Sequence, residues 1–337
     1  MRDVMVTHAV KPPKPRGEPE PPSLESLVDY ARLAPSTRNT QPWSFSVHGD
    51  EIRIFVDRER WLRVADPHQR ELYLSVGCAL ENLLVAGAHH GYKASVSYVK
   101  EDRADGLAAV ARFEPGGHAE DRRVPLFGAI GRRQTNRRPY QRRPLARDVM
   151  AGLYAAVHDE DVQLWLFTDA ETSGRVEQLL ELAERTQYAD PAYRRELAES
   201  IGSGVFGHGW FEAAAGRLVV KHVNVGGAAA RKGVARLHSA PALGVLTSRA
   251  DNRAVQVRAG QAFERLALTA TRMGVALQPL SALMQSPMTR AAVAELLPEE
   301  VYPQHVFRLG YAPPERRRSP RRPAAGLLRP PKKGFDS

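Results

Sequence analysis

Gly77-Cys-Ala-Leu-Glu-Asn-Leu-Leu-Val-Ala-Gly-Ala-His-His-Gly91 returns later in the chain as Gly260-Gln-Ala-Phe-Glu-Arg-Leu-Ala-Leu-Thr-Ala-Thr-Arg-Met-Gly274, at an offset of 183 residues (260 − 77). Glycine agrees at both ends. Ala79/Ala262, Glu81/Glu264 and Leu83/Leu266 agree between them. Any two alanine-rich amphipathic helices share some likeness, but here the terminal glycines also agree in register. Small and apolar residues at i, i+3 and i+4 suit two helices that approach closely. The repeat predicts two half-domains packed through these helices, a covalent mimic of a dimer.

Outward from the first helix, the sequence predicts a helix capped by Ser23 and stopped by Pro35. A hairpin follows, with strands at 43–47 and 52–56, and a strand pair at 94–99 and 106–113 lies beyond the helix at 70–90. The second half predicts helices near 146–157, 172–188, 252–273 and 287–297, with strands at 162–167, 242–247 and 305–311. Residues 1–22 are polar and proline-rich and predict a disordered arm. The first half is expected over 23–124, the second over 125–323, and a tail over 324–337. Glycines crowd 200–233, which predicts a loop or lid.

The 337 residues are 43% hydrophobic, enough for a sizeable core. With 48 basic against 38 acidic residues, the net charge of +10 favours an anionic partner. The single cysteine, Cys78, excludes an intramolecular disulfide and reads as a buried, inert thiol. No run approaches the roughly 20 apolar residues of a membrane span, and the N-terminus lacks the apolar stretch of a signal peptide. A cytoplasmic protein is expected.

Two segments offer ligand chemistry. Ala34-Pro-Ser-Thr-Arg-Asn-Thr-Gln-Pro-Trp43 puts Ser, Thr, Asn and Gln on a short turn after a helix stop, which suits a polar ligand with donors and acceptors; ordinary turn chemistry explains it equally. Arg132-Arg-Gln-Thr-Asn-Arg-Arg-Pro-Tyr140 mixes planar guanidinium forks with neutral donors, as a phosphate site does. A solvated basic loop or a nucleic-acid contact is the other reading.

Residues 34–45, Ala-Pro-Ser-x-x-Asn-x-Gln-Pro-Trp-x-Phe, resemble the signature of the FMN-dependent nitroreductase family. Arg133-Gln-Thr-Asn-Arg137 is similar to its Arg-x-Ser-x-Arg/Lys segment. Gly260–Gly274 with Gln278-Pro-Leu-Ser281 resembles its central helix and following turn, and Phe307–Tyr311 its closing strand. Across roughly 24–323 the chain looks like a long single-chain member with a truncated first half. The resemblance implies an α+β fold of antiparallel-rich sheets flanked by helices. It also implies FMN between the two halves, NADH or NADPH as electron donor, a small planar electron acceptor, and a monomer.

By the same resemblance, Arg133 and Gln134 approach the phosphate, Thr135 the ribityl chain and Arg137 the pyrimidine edge. Pro279, Leu280 and Ser281 run beside the ring, with a backbone N–H near N5. Arg321 and Arg318 are the basic candidates from the tail, and Pro35, Ser36, Thr37 and Asn39 reach across from the first half. Thr135 stands where serine is usual, and Ser281-Ala282 where many members carry an acidic residue and glycine. The first half has no arginine segment, so one flavin per chain is expected. Phe206, Trp210 or Phe211 in the glycine-rich segment could stack on the ring; a covered flavin that is sequestered without turnover is the alternative function.

No catalytic dyad or triad is evident, as expected where the cofactor carries the chemistry. Gly202-Ser-Gly-Val-Phe-Gly207 spells a dinucleotide fingerprint but follows a charged helical stretch instead of a strand. The histidines lack metal-ligand spacing. Arg316–Arg322 comes without a helix-turn-helix, finger or RNP pattern, so specific nucleic-acid recognition is not expected.

Overall fold

A computed structural model of the chain describes residues 21–116, 121–203 and 210–330, with backbone alone over 210–215. The arm expected over 1–22 therefore lies almost wholly outside the described residues.

The first half runs α1 (Leu24–Ala31), β1 (Trp43–His48), β2 (Glu51–Val56), α2 (Arg70–His89), β3 (Tyr92–Tyr98) and β4 (Leu107–Pro115). The second begins with α3 (Phe127–Ile130), α4 (Arg147–Ala156) and β5 (Val162–Phe167). It continues through α5 (Ala170–Ala189), α6 (Pro191–Gly202), α7 (Trp210–His222) and α8 (Gly226–His238) to β6 (Ala242–Ser248). It closes with α9 (Arg253–Arg272), β7 (Ala276–Pro279), α10 (Ala282–Gln285), α11 (Pro287–Ala294) and β8 (Tyr302–Gly310).

The strands form two four-stranded antiparallel sheets, ordered β1-β2-β4-β3 and β5-β6-β8-β7. One order thus appears twice, with a long helix between the second and third strand each time. The expected α+β pair of half-domains is what the chain builds.

The repeat has a steric origin. A β-carbon on Gly77 would stand 2.0 Å from the Val257 carbonyl oxygen and 2.9 Å from the Cα of Gly260. One on Gly260 would stand 2.0 Å from the Leu74 carbonyl. The two glycines meet where α2 and α9 cross, and nothing larger fits. Gly91 and Gly274, at φ 80° and 73°, follow the ends of the same helices in the left-handed conformation that favours glycine.

By length and composition α2 could span a membrane, contrary to the expectation that no segment would come close. Of its 18-residue apolar window, 94% is buried inside the protein, as in a core helix. Its faces carry Leu80, Leu83, Leu84 and Val85, all 2% exposed or less.

The halves differ at two connections. Between β1 and β2 lies a two-residue turn, where four helices are described between β5 and β6, and β3 and β4 are joined by a loop, where α10 and α11 stand between β7 and β8. Most of the described part of 200–233 is helical, with breaks at 203 and 223–225, so the expected loop is corrected to a set of helices. At Gly226 a β-carbon would come within 2.7 Å of the Tyr188 Cβ, so glycine here lets α8 lie close on α5. Phe206 lies outside the described residues, as do the side chains of Trp210 and Phe211. Ser23 stands at the cap position of α1, but its hydroxyl makes no capping bond.

Residues 324–330, expected as part of a tail past the second half, return to the first. The Phe45 N–H donates to the Leu327 carbonyl (2.8 Å) and the Arg329 N–H to the Phe45 carbonyl (2.7 Å), which extends the β1 edge. Leu327 is buried, and the Arg329 guanidinium lies 4.0 Å over the Phe55 ring.

Candidate functional site

The turn after α1 is conformationally costly. Arg38, Asn39 and Gln41 all take positive φ (50°, 56° and 51°), and none is glycine. Hydrogen bonds hold it: the Gln41 N–H donates to Ser36 Oγ (2.8 Å) and the Asn39 N–H to the Ser36 carbonyl (2.9 Å). The tail of the second half adds more. Arg322 N–H donates to Gln41 Oε1 (2.8 Å), Asn39 Nδ2 to the Pro320 carbonyl (2.9 Å), and Arg321 Nη1 to Asn39 Oδ1 (2.9 Å).

Opposite this turn runs the arginine segment. Thr135 bridges in parallel to Leu277, and the Asn136 N–H donates to the Leu277 carbonyl (3.0 Å), which sets the segment beside β7. Arg133, 8% exposed, directs Nη2 to the Leu33 carbonyl (3.3 Å), and Arg321 Nη2 reaches the same oxygen (3.2 Å). Two guanidiniums from separate segments thus converge at the end of α1. Beneath them lies Glu264, 3.3 Å from Arg133 Nε and wholly buried. Burial raises its pKa to about 8, against the opposing pull of Arg133 and Arg321. Burial, with the like charge of Arg133, lowers Arg321 to about 10.

Between the halves these groups line a cleft of about 830 Å³, within the range of cofactor sites. Pro35, Ser36 and Asn39 face it from the first half; Arg133, Gln134, Thr135 and Arg137 from the second; Arg318 and Arg321 from the tail. Gln134 is partly engaged, its Oε1 accepting from the Glu315 N–H (2.9 Å).

A smaller chamber of about 240 Å³ adjoins the cleft and shares Pro35, Ser36, Thr135 and Arg137 with it. Thr37, Pro279 and Ser281 line it too, so twelve of the thirteen expected residues meet in one continuous space. The exception is Leu280. Its side chain packs in the second core cluster with Val306, Leu283 and Met284, and its N–H donates to the Val306 carbonyl (2.8 Å). Successive residues at a strand end face opposite ways, so Leu280 points inward, and its N–H is not free for a ring.

Several residues here were not anticipated. Glu71, Ser75 and Cys78 rise from α2 and His305 from β8, while Tyr188 and Tyr193 come from the inserted helices. Cys78 is 1% exposed and burial pushes its thiol up, in keeping with an inert thiol. Tyr188 and Tyr193 are the aromatic residues with described side chains that the insertion contributes. Only for Cys78 did the sequence carry a signal, its burial on the repeat helix. The other positions depend on chain segments far apart. Among the described residues no cluster of His, Cys, Asp or Glu could hold a metal.

The 183-residue offset locates the mirror image of the chamber. Ser75, Cys78 and Ser281 of the chamber, and Asn82 one turn further along α2, correspond to Arg258, Gln261, Tyr98 and Arg265, each larger. These side chains are engaged within the protein: Tyr98 Oη donates to Gln261 Oε1 (2.7 Å), and Arg258 pairs with Asp159 (3.0 Å) and Asp161. Arg265 pairs with Glu81 (2.7 Å), which also takes Arg123 (3.3 Å).

No family model matches the chain. It is 30% identical over 311 residues to a Mycobacterium tuberculosis protein provisionally named NAD(P)H nitroreductase Rv3131, covering 88% of this chain and 87% of that one. It is 27% identical over 319 residues to Rv3127 of the same organism, an uncharacterized protein, covering 90% and 92%. Among solved structures, the FMN-dependent nitroreductase NfnB of Mycobacterium smegmatis, in complex with NADPH, is 15% identical with a TM-score of 0.34, over 55% of this chain and 86% of that one. That last likeness is too distant to carry weight. The sequence match over most of both chains does carry it: this chain belongs to the nitroreductase family, as one of its long single-chain members.

Proposed function

We propose that the chain binds one FMN in the cleft between its halves and uses it to pass two electrons from NADH or NADPH to a small planar acceptor such as a nitroaromatic or a quinone. The observation that carries this reading is the convergence of Arg133 and Arg321 with the Ser36–Asn39 turn on one cleft.

The residues fit the group. Arg133 and Arg321, with Arg318 and the amide of Gln134, form the phosphate end; bidentate guanidiniums suit a phosphate. Ser36, Asn39 and Thr135 supply small polar groups to the ribityl chain, and Pro35 and Thr37 shape the same wall from the first half. Arg137 faces the pyrimidine edge, where its charge favours added electron density. Pro279 and Ser281 flank the ring in the chamber. Bound FMN would supply the hydride chemistry, and the chain's own part is binding, orientation and field.

The names of the relatives favour turnover over sequestration. Because both halves of the site lie in one chain, a monomer suffices, and the cytoplasm holds the reduced nicotinamide it needs.

Purified protein is expected to carry, or take up, one FMN per chain, and stopped-flow mixing with NADH or NADPH should bleach the flavin band. Protein that stays colourless after incubation with FMN would remove the reading. Binding without bleaching over minutes would leave the sequestering alternative in its place.

A further inference from the structure

The chamber floor carries an acid whose surroundings are unusual. Glu71, in the first turn of α2, is 4% exposed. Its Oε2 accepts from Thr37 Oγ1 (2.5 Å) and from Ser281 Oγ (3.3 Å). Thr37 belongs to the turn after α1 in the first half and Ser281 to the turn after β7 in the second. One carboxylate oxygen therefore ties together the two turns that close the chamber.

Its other oxygen, Oε1, faces His305 Nδ1 at 3.9 Å, beyond hydrogen-bonding distance. Both ring nitrogens of His305 are buried without a partner among the described residues. Burial lowers the proton affinity of this imidazole, so it offers Glu71 no fixed positive charge. Among the described residues no lysine or arginine makes an ion pair with Glu71. The neighbouring Arg70 turns instead to Asp251 and Gln304, and Arg38 to Glu196.

Buried carboxylates are ordinarily neutralised by a cation, as Glu81 is by Arg265 and Arg123 in this chain. Glu71 has no such ion pair, although the charge of the adjacent Arg70 acts on it, and it lies where the ring of the proposed flavin would gain electrons. A negative charge in a poorly screened site opposes that gain. The position also answers the departure at Ser281-Ala282: the half that lacks an acid in its own turn receives one from the other half through the hydroxyl of Ser281.

We infer that Glu71 clasps the two turns that hold the ring and lowers the reduction potential of the FMN bound between them, acting against Arg137. The inference rests on the flavin reading above, and it makes Glu71 a positioning and potential-setting residue.

Charge and reach can be separated by two variants of the full chain. Glu71→Gln keeps the shape and the acceptor oxygen but removes the charge. Its FMN midpoint potential, from a dye-coupled redox titration, is expected to move positive while the FMN dissociation constant stays within about threefold of wild type. Glu71→Asp keeps the charge but falls short of Ser281; it is expected to bind FMN about tenfold more weakly, with a midpoint near wild type. An unmoved midpoint in Glu71→Gln overturns the charge role, and unchanged affinity in Glu71→Asp overturns the clasp. Should Glu71→Gln fail to fold, Thr37→Val tests the clasp from the donor side: about tenfold weaker FMN supports it and unchanged affinity overturns it. Wild-type protein that takes up no FMN at all overturns the flavin reading, and this inference falls with it; wild type that binds FMN beside unaltered variants overturns this inference alone.

Discussion

Glu81 and Glu264 occupy the same position in two copies of one helix, and both are 0% exposed. Their electrostatic fates are opposite. Burial alone would raise Glu81, but Arg265 and then Arg123 overcome it and hold the carboxyl down at about 2. At Glu264 burial prevails over Arg133 and Arg321, and the pKa rises to about 8. Geometry is the difference. Arg265 grips Glu81 with two bonds (2.7 and 2.9 Å), whereas Arg133 stands 3.3 Å from Glu264 without a hydrogen bond. On the Glu81 side, the charges consume each other and serve the fold. On the Glu264 side, a carboxyl that prefers its proton leaves two guanidiniums with their charge available to the proposed phosphate. The repeat holds two equivalent positions; one is a structural ion pair and the other lies beneath the cleft proposed for FMN.

The largest expected effect concerns what the halves share. Gly77→Ala puts a methyl against the Val257 carbonyl and the Cα of Gly260, and rigid backbone on both sides cannot give way. A loss of about 3 kcal/mol in urea unfolding is expected. A loss well below 1 kcal/mol would mean that the α2–α9 crossing separates easily, and the halves would then be less tightly joined than the comparison requires.

Next come the two arginines. Arg265→Ala strands a buried, ionised Glu81 and should lower stability by about 3 kcal/mol, with little change in FMN affinity. Arg133→Ala removes the partner of a carboxyl already inclined to be neutral. Its stability cost should be smaller, while FMN binding weakens by about 1.5–3 kcal/mol, ten- to a hundredfold. Unfolding curves and fluorescence titrations of both variants decide the matter. Equal effects on both readouts would erase the distinction between the two sides.

Much of this arrangement was legible in the sequence, because sterics and turn chemistry leave local marks. The crossing of α2 and α9 imposed glycine on both copies, and the turn at 34–43 needed Ser36, Asn39 and Gln41 to satisfy a strained backbone. Charge marked two runs of arginine, and the resemblance picked Arg133 and Arg321 from them. Leu280 was misread because three consecutive residues cannot all face a ring at a strand end, an alternation the sequence already displayed. The glycines of α7 and α8 suggested a loop, yet Gly226 admits a neighbouring helix. Glu71 and His305 left no mark, since their roles exist only where segments more than two hundred residues apart meet.

The smallest effect is one of pH, and it sharpens the contrast between the glutamates. Glu264 is raised above its ordinary 4.5 to about 8. The folded protein therefore holds a proton there that the unfolded chain has released, and the stability this contributes is full below 4.5 and declines as pH rises toward 8. Glu81 is depressed to about 2; its contribution is full above 4.5 and is lost as pH falls toward 2. In cofactor-free protein, Glu264→Gln should flatten the decline between pH 4.5 and 8, by at most about 1.4 kcal/mol per pH unit for one group, and leave the acid limb intact. Glu81→Gln should spare the upper window and weaken the acid dependence. If FMN phosphate binds over Arg133 and Arg321, it draws on the charge that would otherwise stabilise an ionised Glu264, so saturating FMN should carry the upper decline to higher pH in wild type and leave Glu264→Gln unaltered. A Glu264→Gln variant with the wild-type profile would place the proton elsewhere, on Asp66 or Glu184, whose buried carboxyls are also raised to about 7, and the two glutamates would then differ in geometry but not in charge.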